Sequence, residues 1–393
     1  MFSEGVIPEL PLARRAVGID YTAAYEQGAG IGRLVRDLIA ALGQLDNQTP
    51  YRLFVAGATH ETLPFSPGPN FRWKPTRVTP LWFARLWYRA RLYWPVQAFV
   101  GDVGLFHSPD FTLPPTLPGT RTILTVHDLS YVRAPETAHP VLKAYLDRAV
   151  PWSVARADHV LADSQATKDD LVELYGTPPD KVTVLLSGVN PIYQPVDDPG
   201  ILEDVRERYH IPSGVPYIFS IGTVQPRKNY ERLMRALVAL GNAFSDMHLV
   251  IAGGKGWLDT PIYETVKTLG IEERVHFTGY VEDRDVPALY SGAVCTAYVS
   301  LYEGFGFPVV ESMACGTPVV TSNVSSLPEV AGTAALMVDP YDIDAIAEGL
   351  RRVLDDSDYR AQLVAAGFEQ AARFTWEGSA RQLLQVYAKV LEL

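Results

Sequence analysis

Two glutamates, Glu303 and Glu311, are separated by seven residues across a Gly-Phe-Gly-Phe-Pro turn in EGFGFPVVESMACGTPVV, residues 303–320. A carboxylate offers two acceptor oxygens, which match a pair of neighbouring hydroxyls on a sugar ring or a ribose. Pro308 suits the first turn of a helix running to Cys315, with Gly316 as its C-terminal stop. That puts Gly304, Phe305, Gly306 and Phe307 at a helix N-terminus, where unpaired N–H groups attract an anion and glycines let a phosphate approach the backbone. Glu303 lies ahead of this helix and Glu311 on its first turns, so both are expected to project toward the same cleft. A diphosphate flanked by two polyols describes a nucleotide sugar. The plainer account is two helix-end or solvated charges, each worth tenths of a kcal/mol up to about one.

Arg227 and Lys228, in PRKN, follow directly on an expected strand. Adjacent cations of this kind neutralise a diphosphate, Arg as a planar fork and Lys as a mobile point charge. They would stabilise a leaving group, and losing one such preorganised donor typically costs about 2.7–4 kcal/mol. His127 ends the stretch TILTVHD, at a strand end where α/β sheets present functional side chains, although a lone His is more often structural. Asp128 beside it either orients the ring or caps the following segment. EDRD, residues 282–285, reads as a solvated loop rather than a metal site.

The elements that must position these residues follow a repeating order. RAVGID (15–20), the glycine loop EQGAGIG and the helical RLVRDLIAALGQL read as strand, loop and helix. YRLFVAG, VGLFHS, TILTVHD, HVLADS and KVTVLL continue the strands of a first domain, and YIFSIG, LVIAGG, VHFTGY, VCTAYVS and PVVTSN those of a second. Strands alternating with helices predict parallel sheets covered on both faces. The Pro-rich GVNPIYQPVDDPG (188–200) reads as the linker. The fold class is therefore α/β, with two doubly wound Rossmann-like domains facing a deep cleft. They span residues 1–195 and 196–375, and a last helix over 376–393 packs back on the first.

The 393 residues suffice for two such domains, and 47% hydrophobic with 20% charged residues is an ordinary globular composition. A formal net charge of -11 opposes broad attraction to nucleic acid. Cys295 and Cys315 are the only cysteines, in surroundings that suggest a buried strand and a helix end, which points to a cytoplasmic chain without a metal knuckle. The first twenty residues lack the pattern of a secretory leader, and no segment reaches the roughly 18 apolar residues of a membrane span. GAGIG lacks the dinucleotide spacing, and no acidic residue ends the second strand near Gly57, which argues against an oxidoreductase.

SLYEGFGFPVVESMACGTPVVTSN resembles the donor-site signature of the family-4 retaining glycosyltransferases, which have a GT-B fold. IGTVQPRKN, FTGYV and SLPEVAG resemble that family's patterns in the expected order, and the likeness is strongest from Tyr217 to Pro340. The resemblance implies transfer of a hexosyl group from a nucleotide-diphosphate sugar without metal or cofactor. The donor is held mainly by the second domain, and the acceptor, a glycan, lipid-linked or small molecule, by the first. It implies that Arg227 and Lys228 meet the diphosphate, Glu303 holds the sugar, Glu311 and the 304–307 turn bind the donor, and His127 contacts the transferred sugar. Gly30 and Gly32 of the N-terminal loop approach the diphosphate and acceptor. Many members carry an Arg where this chain has Thr223, so Arg227 takes over that role here. The PRKN and SLYEGFGFP forms resemble mannosyltransferase branches, which makes GDP-mannose the leading donor. A GT-B-like epimerase and a non-catalytic nucleotide-sugar binder are the alternatives.

From Phe71 to Gly101 there are six basic residues, no acidic ones and nine aromatics. In LWFARLWYRARLYW, Phe83, Leu86, Trp87, Ala90 and Trp94 fall on one helical stripe with Arg85 and Arg89 opposite. Two readings stand: the stripe packs on the first domain's core, or the helix meets an anionic bilayer or a lipid-linked acceptor, peripheral to the inner face of the membrane.

Overall fold

A computed structural model describes residue 10 and residues 15–392; the leader reading above falls mostly outside these. The chain forms two units. One holds the described residues up to Leu129, Val141–Gly188 and the described residues from Thr375 onward; the other holds Ser130–Pro140 and Val189–Phe374.

Among the described residues the first unit has seven strands: β1 (Ala16–Asp20), β2 (Tyr51–Ala56), β3 (Phe71–Thr76), β4 (Val103–Ser108), β5 (Arg121–Val126), β6 (His159–Ala162) and β7 (Val182–Val184). They lie in the order β3-β2-β1-β4-β5-β6-β7, every pairing parallel. Central strands such as β4 are buried at every residue, which is why they read as continuous apolar runs rather than alternating ones. The second unit holds β8 (Tyr217–Ile221), β9 (His248–Ala252), β10 (Val275–Gly279), β11 (Cys295–Tyr298), β12 (Val319–Ser322) and β13 (Leu336–Val338). Their order is β10-β9-β8-β11-β12-β13, again parallel. In each sheet the order reverses beside the first strand, and ligands of doubly wound sheets bind beyond the carboxyl ends at such points.

The last helix, Trp376–Leu391, belongs to the first unit. Ser379 Oγ donates to the Leu186 carbonyl (2.6 Å) and Gln382 Nε2 to that of Val184 (2.8 Å). Tyr387 is fully buried, its hydroxyl 2.8 Å from His107 Nδ1, while His107 Nε2 lies 2.9 Å from Thr125 Oγ1. Burial pushes the His107 imidazole down to about 3, so the ring is neutral and both nitrogens need these partners.

The aromatic segment departs from the single regular helix expected of it. Residues 71–76 form the edge strand β3, which tolerates Pro75 because an edge need not donate from every residue. One short turn of α-helix, Pro80–Phe83, passes into a wider π turn, Ala84–Arg89, where the Ala90 N–H reaches five residues back to Arg85. The wider turn breaks the 3.6-residue stripe: Phe83 and Trp87 are buried and stacked at 4.1 Å, but Ala90 is exposed. Trp94 joins the core after the helix has ended, its carbonyl accepting from Trp87 Nε1 at 2.8 Å. The core reading thus holds for Phe83, Trp87 and Trp94.

Tyr387→Phe is expected to destabilise the protein by about 1–3 kcal/mol, the usual cost of a buried group left without its partner. Urea denaturation of the full chain checks this, with an unchanged midpoint as the contrary result.

Candidate active site

β8 and β11 lie side by side, with Ile218 against Cys295 and Phe219 against Thr296, so the loops leaving their carboxyl ends emerge together. The β8 loop tightens into a 3-10 turn, Pro226–Lys228, and ends at Asn229 in the left-handed region (φ 61°). The Asn229 side-chain amide donates to the carbonyls of Val299 (2.9 Å) and Pro340 (2.7 Å), and Leu301 N–H donates to Arg227 O (2.9 Å). These bonds fasten the two loops to each other.

At the junction, Glu303 accepts from Arg227 Nη1 and Lys228 Nζ, one on each carboxylate oxygen, both at 2.6 Å. Arg227 also donates to the Tyr302 carbonyl (2.7 Å) and Lys228 to the Tyr298 hydroxyl (2.6 Å). Glu303 is only 6% exposed. Burial alone would push its carboxyl up, but Arg227 and Lys228 together outweigh that and hold it down at about 2. The triad is therefore fully ionised and carries one net positive charge.

The turn after Glu303 is fixed as tightly. Ser325 Oγ accepts from Glu303 N–H (3.0 Å), and Ser326 Oγ is bonded to the carbonyls of Glu303 (2.9 Å) and Phe305 (2.8 Å). Gly306 sits at φ 105° ahead of the helix Phe307–Ala314, where a Cβ would lie 2.6 Å from Leu327 Cδ2. Glycine is required there on both counts. Gly304 leads into this turn, Phe305 is buried, and its ring meets those of Phe307 at 5.1 Å and Phe374 at 5.6 Å. Thr223 is half-buried in the β8 loop. Glu311 is 1% exposed on the buried side of its helix, and the Tyr290 hydroxyl donates to its Oε2 at 3.1 Å. Of the expected residues, then, the structure brings Arg227, Lys228 and Glu303 into direct contact, while Glu311 is set deeper. Asp285 of the EDRD stretch is engaged by Arg208 (2.7 Å) and Tyr209 (2.8 Å), and no group of three or more potential metal-ligating side chains occurs among the described residues.

In the first unit, His127 is 4% exposed at the end of β5. Its Nδ1 lies 2.8 Å from Asp163 Oδ2 and its Nε2 2.9 Å from the Pro109 carbonyl. Both neighbours accept, so both nitrogens must donate, and the ring is an imidazolium. Burial opposes that charge, but Asp163, helped by Asp110 and Pro109, raises the imidazole to about 9. In this arrangement both ring nitrogens are engaged within the first unit, and it is Asp163 that orients the ring. Gly30 opens the helix Gly30–Leu45, and a Cβ on Gly32 would lie 2.0 Å from the Gln27 carbonyl. Arg36 clamps that loop by donating to Ala24 O and Gln27 O, each at 2.8 Å.

Asp163, Tyr298, Tyr290 and the Ser325–Ser326 pair were not among the expected site residues. Asp163 had a readable signal, an acid directly after the apolar strand HVLA. The others contact the site through pairings between distant segments.

Because the Glu303 carboxyl is lowered from 4.5 to about 2, its contribution is complete above about pH 4.5 and is lost as pH falls toward 2. The full difference is about 3 kcal/mol. Glu303→Gln is expected to flatten that part of the acid-denaturation curve. His127 has the opposite sign: its contribution is complete below about 6.5 and disappears as pH rises through about 9. Nitrogen-15 NMR of the imidazoles should find His127 doubly protonated at neutral pH; a neutral ring would refute the assignment.

Comparison with known proteins identifies the family. The family model for glycosyl transferases group 1 matches residues 203–370, and that for glycosyltransferase family 4 matches residues 28–192. The O-antigen chain mannosyltransferase B of Escherichia coli is 34% identical over 305 residues, covering 77% of this chain and 78% of its own. A D-inositol 3-phosphate glycosyltransferase of Salinispora tropica is 31% identical over 294 residues, 70% of this chain and 60% of that one. Among solved structures, sucrose-phosphate synthase from Thermosynechococcus elongatus superposes with a TM-score of 0.75 at 21% identity, covering 96% of this chain and all (100%) of that one. With two parallel Rossmann-like units of the GT-B type, the chain belongs to the group 1, family-4 glycosyltransferases.

Proposed function

We propose that the protein transfers a mannosyl group from GDP-mannose to a hydroxyl of a glycan or lipid-linked glycan, with retention of anomeric configuration and without a metal ion. The observation that carries this reading is the buried triad of Arg227, Lys228 and Glu303 beside a glycine turn that opens a helix. Its net positive charge and the N–H groups at the helix N-terminus suit a diphosphate, and Glu303 keeps the two cations in place before the donor arrives. On this reading Glu303 also accepts from sugar hydroxyls and Glu311 from the ribose.

The bond between the anomeric carbon and the diphosphate oxygen breaks as the acceptor oxygen bonds to that carbon on the same face. The acceptor's proton passes to the departing diphosphate. Arg227 and Lys228 take up the charge growing on that leaving group. His127 holds the strand-end loop through Pro109 rather than serving as a base, since an imidazolium has no lone pair to offer. The choice of mannose rests on the likeness to the O-antigen mannosyltransferase.

Calorimetry with GDP-mannose, UDP-glucose and UDP-N-acetylglucosamine, with and without EDTA, tests the donor. GDP-mannose should bind best, EDTA should not matter, and Glu311→Ala should weaken binding. Donor consumption should require an added glycan acceptor, and Lys228→Ala should lower kcat by about 100- to 1,000-fold. A new sugar nucleotide formed without acceptor would instead identify an epimerase, and tight binding without turnover a binding protein.

A further inference from the structure

The core of the first unit takes Phe83, Trp87 and Trp94, and this leaves a different set of large side chains outside. Leu81 is 59% exposed, Trp82 52%, Leu92 50% and Tyr93 62%. Arg85, Arg89 and Arg91 are exposed among them, and no described ion pair engages any of the three. The segment is compact: Leu92 N–H returns to Leu86 O at 2.8 Å, the Arg85 guanidinium lies 5.2 Å from the Trp82 ring centroid, and the Tyr93 hydroxyl donates to Thr116 O at 3.1 Å. Leu117, 45% exposed, lies next to that anchor in sequence.

Charge identifies what fits here. The whole chain carries -11, yet residues 71–101 hold six basic side chains and no acidic one, so the sign reverses locally. Exposed Trp and Tyr favour the headgroup level of a bilayer, and arginines bond lipid phosphates as planar forks. A short exposed turn inserts to that depth without spanning, and no described helix is long and apolar enough to cross a membrane. We infer that residues 81–93 form a docking surface for an anionic bilayer, with Leu81, Trp82, Leu92 and Tyr93 entering the interface and Arg85, Arg89 and Arg91 meeting lipid phosphates. This inference is independent of the donor and of the reaction assigned above.

Flotation of the full chain with vesicles of phosphatidylcholine, alone or mixed with phosphatidylglycerol, tests it. Binding should require phosphatidylglycerol and weaken with salt. Arg85→Gln with Arg89→Gln should reduce it roughly 30-fold, the share of two arginines near a charged surface. Leu81→Ser with Trp82→Ser should also reduce it, while melting temperature and donor binding stay those of the unsubstituted chain. Equal binding to both vesicle types, or variants that bind as the unsubstituted chain does, would overturn the inference. So would a dimer in sedimentation velocity that these substitutions dissociate while vesicles go unbound, since the patch would then be an interface between copies.

Discussion

Two cations and one carboxylate sharing a buried site impose the strictest constraint on the second unit. Removing the carboxylate from such a set leaves two uncompensated buried cations, and breaking a buried ion pair in this way costs about 3–5 kcal/mol. The surroundings add further bonds: Tyr302 O for Arg227, Tyr298 for Lys228, and two serines on the backbone that carries Glu303. Asn229 accepts a left-handed conformation so that its amide can join the loops. Local strain of this kind persists where the surrounding structure over-determines it, and it clusters at functional sites.

The first unit solves a related problem with one charge of each sign. His127 and Asp163 cross from β5 to β6, and Pro109 accepts the ring's second proton. The neighbouring histidine, His107, has the opposite state because it faces hydroxyls, and a neutral ring satisfies both. Two buried imidazoles in one sheet thus differ in charge by what their partners can accept. The charged one stiffens the loop beyond the strand ends. The neutral one ties the last helix to the sheet.

Much of this was legible in the residues. Continuous apolar runs marked most of the buried strands, because a strand covered on both faces shows no alternation. The missed strands, β3 and β13, lie at sheet edges: β3 mixes aromatics, charges and a proline, and β13 is three residues long. The 80–94 segment misled for a different reason. A 3.6-residue period assumes regular turns, and the π turn at Ala84–Arg89 moves later side chains off the stripe.

Sequence alone determined the glycine turn, the proline that opens its helix and the chemical types at positions 227, 228, 303 and 311. Those are local properties, set by backbone freedom and side-chain valence. Tertiary structure decided which groups meet. Glu303 lies 75 residues from Lys228 along the chain, and only the pairing of β8 with β11 brings them to 2.6 Å. It also decided the charge of His127, since a ring's protonation follows from the acceptors folded around it, and those come from Pro109 and Asp163 on separate loops.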